Sequence, residues 1–205
     1  MTNTDASFVG HSLWQGERIR LRAVEPEDWT VFAAWNAEDD TERNLDFLRF
    51  PQSHDAVRRW VAELAARRPT TDEYTLLIET AEDVVAGGIA THHCDRRVGG
   101  WSYGVNVLAA HRGRGYATEA VRLLARYMFG ELRYQKLTVG VDAFNTPSIR
   151  LHERLGFQPE GRLRRFGFSG GHYHDLLIFG LTAEEFALAE THRADTADTS
   201  ETVPT

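Results

Sequence analysis

The chain has 205 residues, 42% of them apolar, a net charge of −7 and one cysteine, Cys94. The apolar content supports a packed core and excludes global disorder, and the acidity argues against nucleic acid as a partner. A single cysteine excludes an internal disulfide and fits a reducing, cytoplasmic setting; no 18-residue apolar run predicts a membrane span, and "MTNTDASFVG" has neither the basic nor the apolar region of a secretory signal.

Residues 1–12 are polar and read as a flexible N-terminus. "ERIRLRAV" (17–24) alternates Arg18, Arg20 and Arg22 with Ile19, Leu21 and Ala23, the period of a strand. "EPEDWTVFAAWNAED" (25–39) predicts a helix with Pro26 and acids in its first turn. "SHDAVRRWVAELAARR" (53–68) predicts a second, with Ser53 as N-cap and Val57, Trp60, Val61 and Leu64 on one face. Strand-like runs follow at 73–80, 84–93 and 101–108, separated by turn-like segments. A helix over 115–129, a strand over 136–144 and a short helix over 146–156 come next, the last ended by Gly156. Two strands, 157–168 and 173–181, flank "SGG", and Thr182 with Glu185 forms a capping box for a final helix. The order is β-α-α-β-β-β-α-β-α-β-β, an α/β (α+β) class with a mixed sheet and helices on its faces. One domain is expected over 13–190, with 191–205 too polar to pack and expected to be disordered.

Charge is unevenly placed. Residues 107–170 hold eleven bases and five acids, +6, whereas the remainder holds twelve and twenty-five, −13. A basic region in an acidic chain suits a small polyanion. At its centre, Arg112, Gly113, Arg114, Gly115, Tyr116, Ala117 and Thr118 join a strand to a helix. Helix-start N–H groups carry partial positive charge, and glycines let backbone approach a phosphate closely, so the loop reads as a pyrophosphate cradle or as a plain Gly-rich turn. A Walker loop fails for want of Lys, and a dinucleotide fingerprint fails because Thr118 stands where the third Gly belongs.

The pattern that fits is [Q/R]-x-x-G-x-[G/A], Arg112–Ala117. It resembles the acetyl-CoA loop of the GCN5-related N-acetyltransferase (GNAT) superfamily. The resemblance runs through residues 103–157, including Asn145, Ser148 and "LHERLGF". The segments "GERIRLRAVEPEDW" and "GGHYHDLLIFGLTAEEF" are similar to the subfamily of ribosomal-protein N-terminal alanine acetyltransferases. It implies a single-domain, mostly antiparallel seven-stranded mixed sheet, helices on both faces and splayed central strands. Acetyl-CoA is then the co-substrate, with no metal, and an amine, a protein N-terminus or small molecule, is the acceptor.

The resemblance also implies site residues. The pantetheine arm would enter between 101–108 and 136–144 and pair with backbone near Asn106, Val107 and Leu108. Asn145 would bond that arm; turn chemistry in N-T-P-S explains it otherwise. The leaving thiolate needs a proton donor. His152 stands where many members carry Tyr, which leaves Ser148 first and His152 second as donor; a helix cap and a packed helix residue are the plain alternatives. Two strand histidines, His172 and His174, do not make a metal site. Trp35, Asn44 and Phe47, among acids such as Asp46, and His174 with Asp175, are expected on the acceptor side. A catalytically silent acyl-CoA-binding regulator is the alternative function. Monomer and homodimer both stay open.

Overall fold

A computed structural model describes residues 12–37, 50–68 and 70–200. Its strands are β1 (Ile19–Ala23), β2 (Thr75–Thr80), β3 (Val85–Asp95), β4 (Gly100–Val107), β5 (Lys136–Asp142), β6 (Gln158–Ser169) and β7 (His172–Thr182). The helices are α1 (Trp29–Trp35), α2 (His54–Ala66), α3 (Tyr116–Gly130), α4 (Thr146–Arg154) and α5 (Ala183–Ser200). The seven strands form one sheet in the order β1-β2-β3-β4-β5-β7-β6. Every neighbouring pair is antiparallel except β4 and β5.

Two cores follow from side-chain alternation. On β2, Leu77 faces α1 and α2 and packs with Phe32, Trp35, Val57 and Val61. Its neighbour Ile78 faces the other way, onto Val121, Leu124 and Met128 of α3. Glycine decides how closely α1 approaches: a Cβ on Gly88 would lie 2.7 Å from Cη2 of Trp35, so the indole lies against bare strand backbone. The expected caps form, with Ser53 Oγ accepting from Ala56 N, and Thr182 and Glu185 closing their reciprocal box.

The first predicted helix begins as a 3-10 turn, Pro26–Asp28, before α1. The last differs more: α5 stays helical through Ser200, ten residues into the segment expected to be disordered. Its sequence is polar, yet Phe186 is buried against Phe129 of α3, and Glu190 holds Arg122 and Arg126 of the same helix.

Charge joins α1 to the sheet. Arg22 donates to both oxygens of Asp28 and, through Nε, to Glu79, which also takes Arg20. Asp28 and Glu79 are buried. Burial alone would push both carboxyls up, but the hydrogen bonds and charges of the arginines outweigh it and hold both below their ordinary values. Groups with depressed folded pKa values contribute stability that is present above their unfolded pKa and lost as pH falls through the folded one. Stability should therefore fall below about pH 4.3. Replacing Arg22→Met strands the buried Asp28 carboxylate and leaves Glu79 with Arg20 alone, and should cost about 3 kcal/mol at neutral pH, read as a lowered midpoint in urea. An unchanged midpoint would show that the network contributes nothing net.

Candidate active site

β4 and β5 pair only at Gly100↔Lys136 and Trp101↔Leu137. Beyond Trp101 the strands diverge, and the gap opens into a cavity of about 520 Å³. Val105, Asn106 and Val107 form one wall; Asn145, Pro147, Ser148, Leu151 and Arg154 of α4 and its approach form another. The far end is the start of α3, where His111, Arg112, Gly113, Gly115, Tyr116, Ala117 and Thr118 converge with Arg18, the residue before β1.

The loop's conformation depends on its glycines. Gly113 and Gly115 have φ of +77° and +80°, a region other residues rarely enter. Gly115 is the N-cap of α3, so the first N–H groups of that helix face the cavity end with no intrahelical acceptor. Arg18 fixes the turn from outside. Its Nη1 donates to Arg114 O at 3.0 Å, and its Nε and backbone N donate to the Glu119 carboxylate at 2.9 and 3.0 Å. A Cβ on Gly115 would lie 2.7 Å from that Nη1. Arg112 is folded back, Nε donating to Val107 O at 3.0 Å.

Ten of the twelve residues expected to hold the cofactor line this cavity; Leu108 and Arg114 do not. Leu108 turns into the core under α1 and α2. Arg114 is exposed and contributes its carbonyl to Arg18. Sequence reasoning missed Arg18, His111 and Arg154. Arg18 was legible only as the first of three arginines alternating along 17–24, and nothing local names a partner 101 positions away.

Ser148 lines the cavity in the first turn of α4, while Asn145 caps that helix through Oδ1, accepting from Ser148 N at 3.1 Å. His152 does not face the cavity. It is buried, with Nδ1 2.8 Å from Ser148 O and Nε2 2.9 Å from Tyr103 Oη. A carbonyl only accepts, so Nδ1 carries the proton and Nε2 accepts from the tyrosine. Desolvation pulls this imidazole's pKa down, the Ser148 carbonyl pulling weakly the other way, so it stays neutral. Both ring nitrogens are thus committed inside the protein, which corrects the expectation of His152 as a proton donor at the cavity.

The expected acceptor residues are not brought together. Trp35 is packed in the α1–α2 core. His174 pairs with Asp142 at 3.1 Å and meets the Phe144 ring edge-on. Asp175 accepts from Arg162 Nε at 2.6 Å and Arg165 N at 2.7 Å. Neither strand residue lines the cavity: Asp142 holds His174, and Arg162 holds Asp175. Asn44 and Phe47, with Asp46, lie outside the described residues. Among the described residues no three His, Cys, Asp or Glu side chains gather as a metal site.

The residues present suit acetyl-CoA. A positive helix start and basic side chains occupy one end, as a pyrophosphate requires. Along the wall two buried polar atoms, Asn106 Nδ2 and His111 Nδ1, lack a hydrogen-bond partner within the protein, as expected where an amide-rich ligand supplies one.

A sequence profile of the acetyltransferase (GNAT) domain matches residues 18–158. The chain belongs to the GNAT acetyltransferase family. It is an acetyl-CoA-dependent acyltransferase. It is 42% identical over 175 residues to the SPbeta prophage-derived uncharacterized N-acetyltransferase YokL of Bacillus subtilis, spanning 85% of this chain and 96% of that one. To the spermidine N(1)-acetyltransferase of Escherichia coli it is 30% identical over 171 residues, 78% of this chain and 83% of that one. The crystal structure of spermidine N-acetyltransferase from Vibrio cholerae in complex with CoA and spermine shares its fold, with a TM-score of 0.73 at 19% identity over 82% of this chain and 98% of that one.

In this GNAT enzyme the cradle can be tested without disturbing the backbone. Asp and Asn tolerate positive φ, and a Cβ on Gly113 would meet no atom within 4 Å. Gly113→Asp should weaken CoA binding at least about tenfold in calorimetry, whereas Gly113→Asn should cost far less, because charge at the phosphate position is the difference. Equal affinities in the two variants would place the pyrophosphate elsewhere.

Proposed function

We propose that this enzyme moves the acetyl group of acetyl-CoA to a primary amine, an α-amine in preference to a lysine, by direct attack within a ternary complex. The observation that carries the cofactor half is the cavity between β4 and β5, closed at one end by two strand pairs and at the other by the Arg112–Thr118 cradle. Bound acetyl-CoA supplies the thioester. The chain's part is to grip the phosphates at the α3 start, to extend the arm along Asn106 and Val107, and to present Ser148.

Two features support an α-amine. The cavity wall has no carboxylate among its lining residues, so no strong base stands beside the thioester. At pH 7 roughly 10–15% of an α-amine is already neutral, against roughly 0.04% of a lysine. The relatives' names include both a ribosomal and a spermidine acetyltransferase, which leaves the acceptor to experiment.

Ser148 is the proton donor to the departing thiolate in this reading. Its hydroxyl lines the cavity, and only a 3.5 Å contact to His152 Nδ1 engages it. Asn145 positions it by capping α4.

Mass spectrometry of alaninamide and of an Nα-blocked lysine peptide, each incubated with enzyme and acetyl-CoA, should show acetylation of the first only. The reverse preference would overturn the acceptor assignment. Ser148→Ala should lower kcat about 10- to 100-fold while leaving the acetyl-CoA Kd within about twofold. An unchanged kcat would give the proton to water.

A further inference from the structure

β6 is the outer strand of the sheet and is hydrogen-bonded to β7 alone. Its residues from Gln158 to Phe166 are all exposed. A free edge invites pairing with another chain, and charge, bulges and proline are the usual ways of blunting it. β6 carries all three: Pro159 near its start, Arg162, Arg164 and Arg165 at its middle, and two slips of register. Blunting does not call for apolar surface, yet Leu163, Phe166, Phe168 and Tyr173 are exposed on the same hairpin, Phe166 at 64%.

The second slip makes a site. Leu163 pairs with Leu176 and Gly167 with His174, so Arg164, Arg165 and Phe166 bulge opposite Asp175 alone. Arg165 takes φ of +54°, left-handed for a residue with a side chain, and such strain collects at ligand-binding positions. Around the bulge Arg162, Leu163, Arg164, Arg165, Phe166 and Asp175 line an open depression of about 820 Å³. Its three guanidinium groups against one carboxylate leave a charge of +2. Arg162 Nε donates to Asp175 at 2.6 Å, and the Arg165 guanidinium lies 4.6 Å from the centre of the Tyr173 ring. Arg164 makes neither a hydrogen bond nor an ion pair among the described residues.

Direct contacts lead from this depression to the cofactor cavity. Arg165 N donates to Asp175 Oδ1 at 2.7 Å, the Asp175 carbonyl accepts from Ala143 N at 2.9 Å, and Asn145, two residues further on, lines the cavity with Ser148. Exposed Phe144 lies between them, its ring against His174. β6 and β5 flank β7, so the lateral distance is two strand spacings, about 10 Å. An extended peptide, at about 3.3–3.6 Å per residue, crosses it in roughly three or four residues.

We propose that the β6 depression docks an acidic segment of a protein acceptor, about four to six residues downstream of the α-amine that is acetylated. This rests on the α-amine reading and deepens it. Carboxylates of the segment meet Arg164 and the outer side of Arg162, and an apolar side chain lies on Phe166 and Leu163. The amine end of the segment then reaches the cavity rim at Asn145 and Ser148. The depression contributes binding alone: it supplies no base and takes no part in the transfer.

Charge selects this occupant. A second copy of the chain pairing edge to edge would set β6 against β6 and bring like-charged arginines together, and the bulge interrupts the ladder such pairing needs. A cationic segment would be repelled in the same way. An acidic one finds Arg164 uncommitted, and the exposed rings beside it give its apolar residues a surface.

The test uses the full chain, saturating acetyl-CoA and two free-amine peptides, Ala-Gly-Gly-Gly-Glu-Phe-Glu-Glu and its counterpart with Gln for each Glu. The acidic peptide should have a KM about tenfold lower, Arg164→Glu should erase that difference, and Arg164→Lys should keep most of it. The Nα-acetylated acidic peptide cannot react, so calorimetry with it reads docking alone. It should bind Arg164→Glu about tenfold more weakly than the wild-type chain, while the CoA Kd of the variant stays within about twofold, which separates a lost dock from a damaged fold. Equal KM values for the two peptides in the wild-type chain, or an acidic preference that survives Arg164→Glu, would show that the arginines only blunt the edge and would overturn the proposal. Binding of the blocked peptide with no gain in acetylation of the free one would overturn it too, because the site would then serve a partner other than the acceptor. Acetylation of alaninamide tells the two levels apart: where it occurs, the α-amine reading stands whatever the peptides show, and where it fails, that reading and this proposal fall together.

Discussion

Two backbone pairs, Gly100↔Lys136 and Trp101↔Leu137, hold the halves of the sheet together at its centre. Every other strand junction is a longer antiparallel ladder. The parallel junction is brief because side chains are wedged where it would continue. His152 of α4 sits between Tyr103 of β4 and Phe179 of β7, with Phe157 edge-on. Its two ring nitrogens are spent on Tyr103 and the Ser148 carbonyl, so the wedge is fixed in orientation as well as in bulk. The gap, the cavity it opens and the exposure of Ser148 all depend on that wedge.

The cavity's end at the start of α3 rests on a different kind of constraint. Gly113 and Gly115 turn the backbone so that the α3 start faces inward, but glycine by itself permits many conformations. Arg18 selects one by binding the Arg114 carbonyl and, through Glu119, the first turn of the helix. A residue just before the first strand thus sets the shape of a loop nearly a hundred positions later. The same economy recurs on the opposite face, where Gly88 admits the Trp35 ring and Gly104 admits His92. Small residues in β3 and β4 let side chains from neighbouring elements lie on the sheet.

Much of this was legible from residue order. Alternation in "ERIRLRAV" gave β1 its buried Ile19 and Leu21, and the Thr182–Glu185 spacing gave the start of α5. The Arg112–Ala117 pattern located the turn into α3 because backbone conformation is what glycines announce locally. Side chains working across the fold were harder to read. His152 looked like a donor at the cavity because the position in the sequence pattern suggested it, yet its environment consists of Tyr103, Phe157 and Phe179 from three other elements. His174 and Asp175 looked available for an acceptor, but Asp142 and Arg162 occupy them.

The sequence by itself therefore determined the strands, the helices, their caps and the glycine turn into α3, because each is a matter of neighbours within a few positions: hydrophobic period, N-cap chemistry, positive φ at glycine. Only the tertiary structure decided which polar groups are free to act. Arg18 is committed to a loop, His152 to a wedge, and Glu79 and Asp28 to Arg22, while Ser148, Asn106 and His111 are turned toward the cavity. A side chain's chemistry follows from its desolvation and its partners, and those are fixed by packing between elements distant in the chain.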